Sequence, residues 1–311
     1  MNDIENDVVA VGLQASGKTM YLVGMYNMFS RILGEFNVSS EGDEAFLTEC
    51  WEDIKRGDFP FTTDHIVKYS LRLSHCHRSL FNFGYIDPAG GYCAKHIRHK
   101  DFYLDREYKK FLNYVLKASC LLIFIDSNRL TQLTGNEMCT GRIIQLLHET
   151  FLPIAEFFID SLEPLPSIGI VFTKSDVLFD ESYDKIKSFE QLVYNIARDT
   201  CEKCHSMVFP AITSTGYCTQ NEFVVSPVNI ELPILFAILC MFEKLIYTRN
   251  NCNNVDKMGV YKKFSAALLS IKRFLQRKPS ILYIRSNGKV EENILSNYAD
   301  KILADLDSLF L

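Results

Sequence analysis

The run Gly12-Leu13-Gln14-Ala15-Ser16-Gly17-Lys18-Thr19 constrains this chain more than any other stretch. An apolar, strand-like segment, Val8-Val9-Ala10-Val11, leads into it. A helix-forming segment, Met20-Tyr21-Leu22-Val23-Gly24-Met25-Tyr26, leads out. Strand, glycine-bounded loop and helix in that order make G-x-x-x-x-G-K-[ST] a phosphate-binding P-loop. The glycines allow a backbone in which successive N–H groups point inward at oxyanions. The helix N-terminus adds its partial positive charge. The expected phosphate-binding residues are therefore Gly12, Gln14, Ala15, Ser16, Gly17, Lys18, Thr19 and Met20. Lys18 reaches the β- and γ-phosphates, and the Thr19 hydroxyl is a Mg²⁺ ligand.

Beyond the loop, apolar runs alternate with helical patterns, which predicts an α/β fold with a mostly parallel sheet covered by helices. The strands expected are Asp7–Leu13, Ile66–Ser74, Ser79–Ile86, Cys120–Asp126, Ser167–Thr173 and Met207–Thr213. The helices expected are Lys18–Leu33, Asp43–Lys55, Arg106–Lys117, Gly141–Ser161, Tyr183–Lys203 and Glu231–Tyr247. The strands at 66–74 and 79–86 read as a hairpin joined by Cys76-His77-Arg78, so one strand runs antiparallel. The polar stretch Arg249 to Asn254 reads as a connector. It divides residues 1–248 from an accessory extension, 249–311. That extension holds a basic helix, Lys262–Arg277, a short strand at Ile281–Ile284, a turn at Ser286-Asn287-Gly288 and an amphipathic helix, Glu291–Leu311.

Composition excludes several classes. With 311 residues, 48% of them hydrophobic, the chain has ample core for one large domain or two small ones. A net charge of -5 gives no general reason to expect nucleic-acid binding. The N-terminus, Met1 to Asp7, is acidic and polar, unlike a signal peptide. The longest apolar run, Pro233 to Phe242, is too short to span a bilayer and reads as a buried segment. The ten cysteines are scattered, several inside apolar runs, which fits reduced, buried thiols in a cytoplasmic protein. Cys201-Glu202-Lys203-Cys204-His205 matches C-x-x-C-H, but haem attachment needs export, and no second ligand pair at zinc-finger spacing accompanies it.

Further motifs refine the P-loop. Tyr85-Ile86-Asp87-Pro88-Ala89-Gly90 ends a strand with D-x-x-G. Asp87 there holds the Mg²⁺ water shell, and the Gly90 N–H bonds the γ-phosphate. Thr173-Lys174-Ser175-Asp176 is T-K-x-D, a variant of the N-K-x-D base-recognition motif. The Asp176 carboxylate accepts two hydrogen bonds from guanine N1–H and N2–H₂, a pair adenine lacks. The aliphatic stem of Lys174 covers the purine face. Thr173 replaces the usual Asn, its hydroxyl taking over part of the Asn's bracing of the P-loop. Ser214-Thr215-Gly216 is a small-residue turn offering backbone N–H to guanine O6. In the loop Arg56 to Asp64, Thr63 is the expected γ-phosphate and Mg²⁺ threonine, with Thr62 the alternative.

In chain order, P-loop, loop Thr, D-x-x-G, T-K-x-D and the S-T-G turn, the five motifs resemble the Ras-like P-loop GTPase superfamily, of the TRAFAC class, across about residues 7–247. More narrowly, Gly12, Ser16, Gly17, Lys18, Thr19, Tyr21, Trp51, Gly57, Pro60 and Thr63 are similar to the double-GTPase group of bacterial conflict and phage-defence loci. The chain departs from that group in showing one GTPase module. The resemblance implies a three-layer fold with a six-stranded sheet, one strand antiparallel, and accessory C-terminal helices. It implies GTP/GDP and Mg²⁺ as ligands. It implies hydrolysis of GTP by a molecular switch acting on a protein effector or partner subunit, and a nucleotide-dependent homodimer. Ras-like enzymes often place a water-orienting Gln after D-x-x-G, where this chain has Gly91. Slow intrinsic hydrolysis, a partner-supplied group, or Gln14 acting instead are the three explanations. Dynamin-like GTPases carry a Gln at this P-loop position. Lys18, Gln14 and Thr63 are thus the expected catalytic residues. The competing readings are an ATP-using P-loop NTPase and a nucleotide-sensing interaction subunit without hydrolysis.

Overall fold

The computed structural model describes residues 6–60, 65–89, 106–128, 166–178, 208–218, 223–250, 257–277, 284–286, 289–291 and 294–308. Seven strands make the central sheet: β1 (Asp7–Gly12), β2 (Phe36–Ser40), β3 (Val67–His75), β4 (Arg78–Asp87), β5 (Ala118–Asp126), β6 (Ser167–Thr173) and β7 (Val208–Ile212). Their spatial order is β2-β3-β4-β1-β5-β6-β7. β3 alone runs against the rest, antiparallel to both β2 and β4, while the other neighbours are parallel.

Period-two alternation sorts the strands' side chains between two cores. Val8 and Ala10 of β1 join one apolar cluster, and Val9 and Val11 join the other. The larger cluster is covered by α1 (Lys18–Leu33), α2 (Glu44–Arg56) and α4 (Glu231–Asn250). α3 (Arg106–Lys117) packs Tyr108, Phe111, Leu112 and Val115 onto the opposite face. Ile234 through Phe242 of α4 are all buried, because α4 lies between the sheet and the C-terminal helix α6 (Ile294–Ser308). That explains an apolar run with no polar face. No described helix is long and apolar enough to cross a membrane.

The structure departs from the sequence reading in several places. A seventh strand, β2, occupies the sheet edge. Its five residues alternate buried and more exposed positions, a pattern too short to stand out from the end of α1. The turn expected at Ser214–Gly216 is instead the start of a strand: β7 stops at Ile212, and Ser214 opens β8 (Ser214–Cys218). β8 pairs with β9 (Phe223–Val228) in a separate hairpin. Gly216 is required there, since a Cβ would meet the Val224 carbonyl at 2.2 Å. The basic helix begins at Lys257 rather than Lys262, giving α5 (Lys257–Arg277). Of the strand expected at Ile281–Ile284 only Ile284 is among the described residues; it opens β10 (Ile284–Ser286), which pairs with β11 (Lys289–Glu291). Phe264, Leu268 and Ile271 of α5 and Tyr298 and Ile302 of α6 belong to the same apolar cluster as the sheet. Four free cysteines are described; Cys120 and Cys240 are buried as expected, whereas Cys76 is exposed. The helices expected at Gly141–Ser161 and Tyr183–Lys203, and the segment Cys201–His205, lie outside the described residues.

Candidate functional site

β1 is central in the strand order, with β4 on one side and β5 on the other. Open α/β sheets bind ligands at such a switch point, beyond the strands' carboxyl ends. The chain leaves β1 at Gly12 and turns through Leu13 to Gly17 before α1 begins at Lys18. Two left-handed residues make that turn, Ala15 at φ 62° and Gly17 at φ 89°. The second suits glycine, since a side chain there would be strained and would also crowd Thr173 at 3.3 Å. Ser16 N donates to Leu13 O at 3.2 Å, closing the loop. Lys18 is buried, and its ammonium donates to Gly12 O at 3.1 Å and to Leu13 O at 3.2 Å.

A cavity of about 480 Å³ opens over this loop, within the size range of small-molecule sites. Gln14, Ala15, Ser16, Gly17, Lys18, Thr19 and Met20 line one side of it. Thr173, Lys174, Asp176, Ser214 and Thr215 line the other. Four strand termini thus converge on one space. Gly12, the last residue of β1, is not among the residues lining it.

The Thr173 hydroxyl lies 2.7 Å from Ser16 O and 3.2 Å from Ile125 O, so its proton ties the P-loop to β6. Thr173→Val removes that proton and leaves buried carbonyls without it. Nucleotide affinity is expected to fall about 5- to 100-fold, for a loss on the order of 1–3 kcal/mol. Titration calorimetry checks this; unchanged affinity shows the brace to be dispensable.

Lys174 is itself left-handed, at φ 57°. Its ammonium pairs with Asp126 Oδ2 at 2.6 Å, and the Asn128 N–H donates to Asp126 Oδ1 at 3.0 Å. Asp126 is nearly buried whereas Lys174 is partly exposed, so the pair's worth lies in fixing where the lysine stem runs rather than in Coulomb energy. Asp176 is the second residue of the short 3₁₀ turn Ser175–Leu178. Its Oδ1 lies 3.1 Å from Ser214 Oγ, which also lies 2.7 Å from Gly216 O. Burial raises the Asp176 carboxyl above its usual range; the Ser214 hydrogen bond and the Lys174 charge partly offset that.

Beside the loop, the Thr19 hydroxyl donates to Asp87 Oδ2 at 2.7 Å. Asp87 is fully buried at the end of β4. A hydroxyl and a carboxylate so placed are hard oxygen donors, and the set fits Mg²⁺. Ser16 Oγ is buried with no hydrogen-bond partner among the described residues, which fits a loop that takes a polar ligand. Thr62, Thr63, Gly90 and Gly91 lie outside the described residues.

Several residues around the cavity went unread in the sequence. Asp126 was visible only as the polar end of an apolar strand. It waits on the β5–β6 register to meet Lys174, and Asn128, bonded to Asp126, lines the cavity beside it. Phe59 and Phe223 meet edge to face at the cavity's rim, their centroids 5.4 Å apart. No local pattern announces Phe223, because its partner is 164 positions upstream by number.

No protein-family model and no curated protein matches the chain. Solved structures similar to it include a bacterial selenocysteine-specific elongation factor, EF-Sec, at 14% identity and a TM-score of 0.34. That match covers 67% of this chain and 25% of the elongation factor, so the chain spans a quarter of its length. A second is the ADP-ribosylation-factor-like GTP-binding protein, or small COPII coat GTPase SAR1, of Encephalitozoon cuniculi in complex with GDP. Its identity is 10% and its TM-score 0.31, over 68% of this chain and 70% of that one. A third is Methanosarcina barkeri Roco2 RocCORdC bound to GDP, at 14% identity and a TM-score of 0.31, over 98% of this chain and 68% of that one.

Proposed function

We propose that this protein binds GTP and GDP with Mg²⁺, hydrolyses GTP slowly and acts as a molecular switch on a protein partner. The observation that carries the reading is the shared cavity. A lysine-bearing anion loop and a half-buried carboxylate just past the end of β6 face the same space. The loop suits phosphates, and the carboxylate suits the guanine edge. The roles follow residue by residue. N–H groups of Gln14 to Met20 and the Lys18 ammonium hold the phosphates. Thr19 and Asp87 hold Mg²⁺, which supplies charge neutralisation at the phosphates. Asp176 reads guanine, held by Ser214, while Lys174 lies along the base. Thr63 and Gly90 are assigned by sequence to the γ-phosphate, and Thr215 to the base side.

An ATP-using enzyme is the second reading, favoured by the P-loop alone. Asp176 weighs against it, because adenine leaves a half-buried carboxylate without donors. On the sequence resemblance, the switch regulates a partner in a bacterial conflict or anti-phage system. Loss of phage protection in a host carrying the locus with Lys18→Ala tests that role; undiminished protection rejects it.

Two further outcomes follow. Gln14 is exposed on the loop at the cavity wall. If it orients the attacking water, Gln14→Ala slows single-turnover hydrolysis by about 10²-fold, within the range of general-base and positioning contributions, while GTP affinity holds. An unchanged rate rejects that role and leaves catalysis to a partner or to slow intrinsic chemistry. The second outcome concerns pH. Guanine recognition requires the ionised Asp176, so GTP affinity falls as pH falls through its raised pKa. Fold stability has the opposite sign: the buried carboxyl favours its proton, so its unfavourable contribution grows as pH rises. Affinity that stays flat from neutral to mildly acid pH contradicts the assignment.

A further inference from the structure

At the other end of the sheet, the β3–β4 hairpin turns through Cys76 and His77, both left-handed, at φ 47° and 62°. His75 is the last residue of β3 and pairs with Phe36 at the start of β2. Its side chain is largely covered. Glu35 precedes β2, and its carbonyl accepts the Cys76 N–H at 2.8 Å, drawing the two segments together. The side chains converge as well. His75 Nε2 lies 3.4 Å from Glu35 Oε2 and 3.7 Å from Cys76 Sγ. The three ligand atoms all lie within 4.8 Å of one another. It is the one such three-residue group of His, Cys, Asp and Glu among the described residues.

We propose that Glu35, His75 and Cys76 form a binding site for a borderline-soft divalent cation of the Zn²⁺ class. The separations carry the argument. Zinc bonds of about 2.0–2.1 Å to nitrogen and oxygen and about 2.3 Å to sulfur, at tetrahedral angles, set N and O about 3.3 Å apart and N and S about 3.6 Å apart. The observed 3.4 and 3.7 Å match both. Imidazole and thiolate select against the hard cations Mg²⁺ and Ca²⁺, and one carboxylate completes a three-ligand set with a fourth position for water. Ser270 Oγ on α5 lies 3.1 Å from the same imidazole nitrogen and links the site to the C-terminal helices. Cys76 and Glu35 are exposed, which gives the ion a path in. Arg273 of α5 also faces Glu35, so the ion competes with that charge for the carboxylate. The ligands come from two separate segments, so no sequence spacing announces them.

The metal-free cluster accounts for these contacts as hydrogen bonds, but it leaves the Cys76 proton in place. Metal ligation deprotonates the thiol and releases that proton to solvent. The test is Co²⁺ titration of the full chain, chelator-treated, reduced and nucleotide-free. The site predicts a thiolate-to-cobalt charge-transfer band that saturates at one equivalent and is removed by competing Zn²⁺. Cys76→Ser removes the band, His75→Ala weakens Co²⁺ affinity more than about tenfold, and Cys50→Ser keeps the band. Thermal melts of Cys76→Ser without metal should match the parent, since Cys76 is an exposed turn residue. Absence of the band in the parent, or its survival in Cys76→Ser, overturns the proposal. The site lies across the sheet from the cavity, so either result leaves the nucleotide reading to its own tests.

Discussion

Lys18→Ala is expected to abolish nucleotide binding at working concentrations and to take GTP turnover below detection. In the structure the ammonium is buried and held by two loop carbonyls, Gly12 O and Leu13 O. A buried charge with this geometry sits inside the curve of the anion loop. The variant removes charge-assisted hydrogen bonds to phosphate, each worth about 1.5–3 kcal/mol. Two such contacts correspond to roughly 10²- to 10⁴-fold in affinity, by the rule that 1.4 kcal/mol is tenfold. The fold itself should survive, since α1 and β1 keep their apolar cores through Val8, Leu22 and Phe29. Equilibrium binding of a fluorescent GTP analogue, with a thermal melt alongside, checks both parts. GTP turnover at the parental rate in a folded Lys18→Ala protein would remove the P-loop assignment.

Asp176→Asn is expected to exchange base preference rather than lose binding. On the proposed assignment the carboxylate accepts from guanine N1–H and N2–H₂; a carboxamide presents one acceptor and one donor. Xanthine, with an oxygen in place of the exocyclic amine, accepts from that donor. The structure supplies the setting this needs. Asp176 is half-buried, its carboxyl is pushed up by desolvation, and Ser214 fixes one of its oxygens. A site built around a buried hydrogen-bonding pair discriminates by about 10⁴ or more against a ligand that leaves it unpaired. The expected shift in the GTP-to-XTP affinity ratio is therefore large, on the order of 10²–10⁴. Competition binding measures it. A variant that retains parental preference for GTP places base recognition elsewhere.

How much of this was legible depended on whether the determinant was local. α1 and α3 occupy the spans read from the sequence, Lys18–Leu33 and Arg106–Lys117, and β6 the span Ser167–Thr173. Each has a local marker. Gly17 and Gly34 bracket α1, both at positive φ, and an unbroken apolar run of a parallel strand ends at Thr173. β2 was hidden because an edge strand of five residues shows only one buried face, and Gly34 sets it directly against α1. The β8–β9 hairpin was hidden because its pairing places Gly216 against Val225 with a register shift, and a Pro sits within β9. The candidate site divides in the same way. The P-loop, Asp87 and Asp176 stand at strand ends and are marked by their neighbours. Lys174–Asp126, Thr173–Ser16 and Phe59–Phe223 join elements distant in sequence. They follow from strand order and register, which the chain does not display residue by residue. The Glu35–His75–Cys76 cluster is of that second kind.

The central claim is that one cavity joins a phosphate loop to a guanine-reading carboxylate. Affinities of the unmodified protein for GTP, GDP, ATP and XTP, measured side by side with Mg²⁺, test it most directly. GTP and GDP should bind at least about 10²-fold more tightly than ATP and XTP, the discrimination expected when a half-buried carboxylate is left unpaired. Equal or tighter binding of ATP would contradict it.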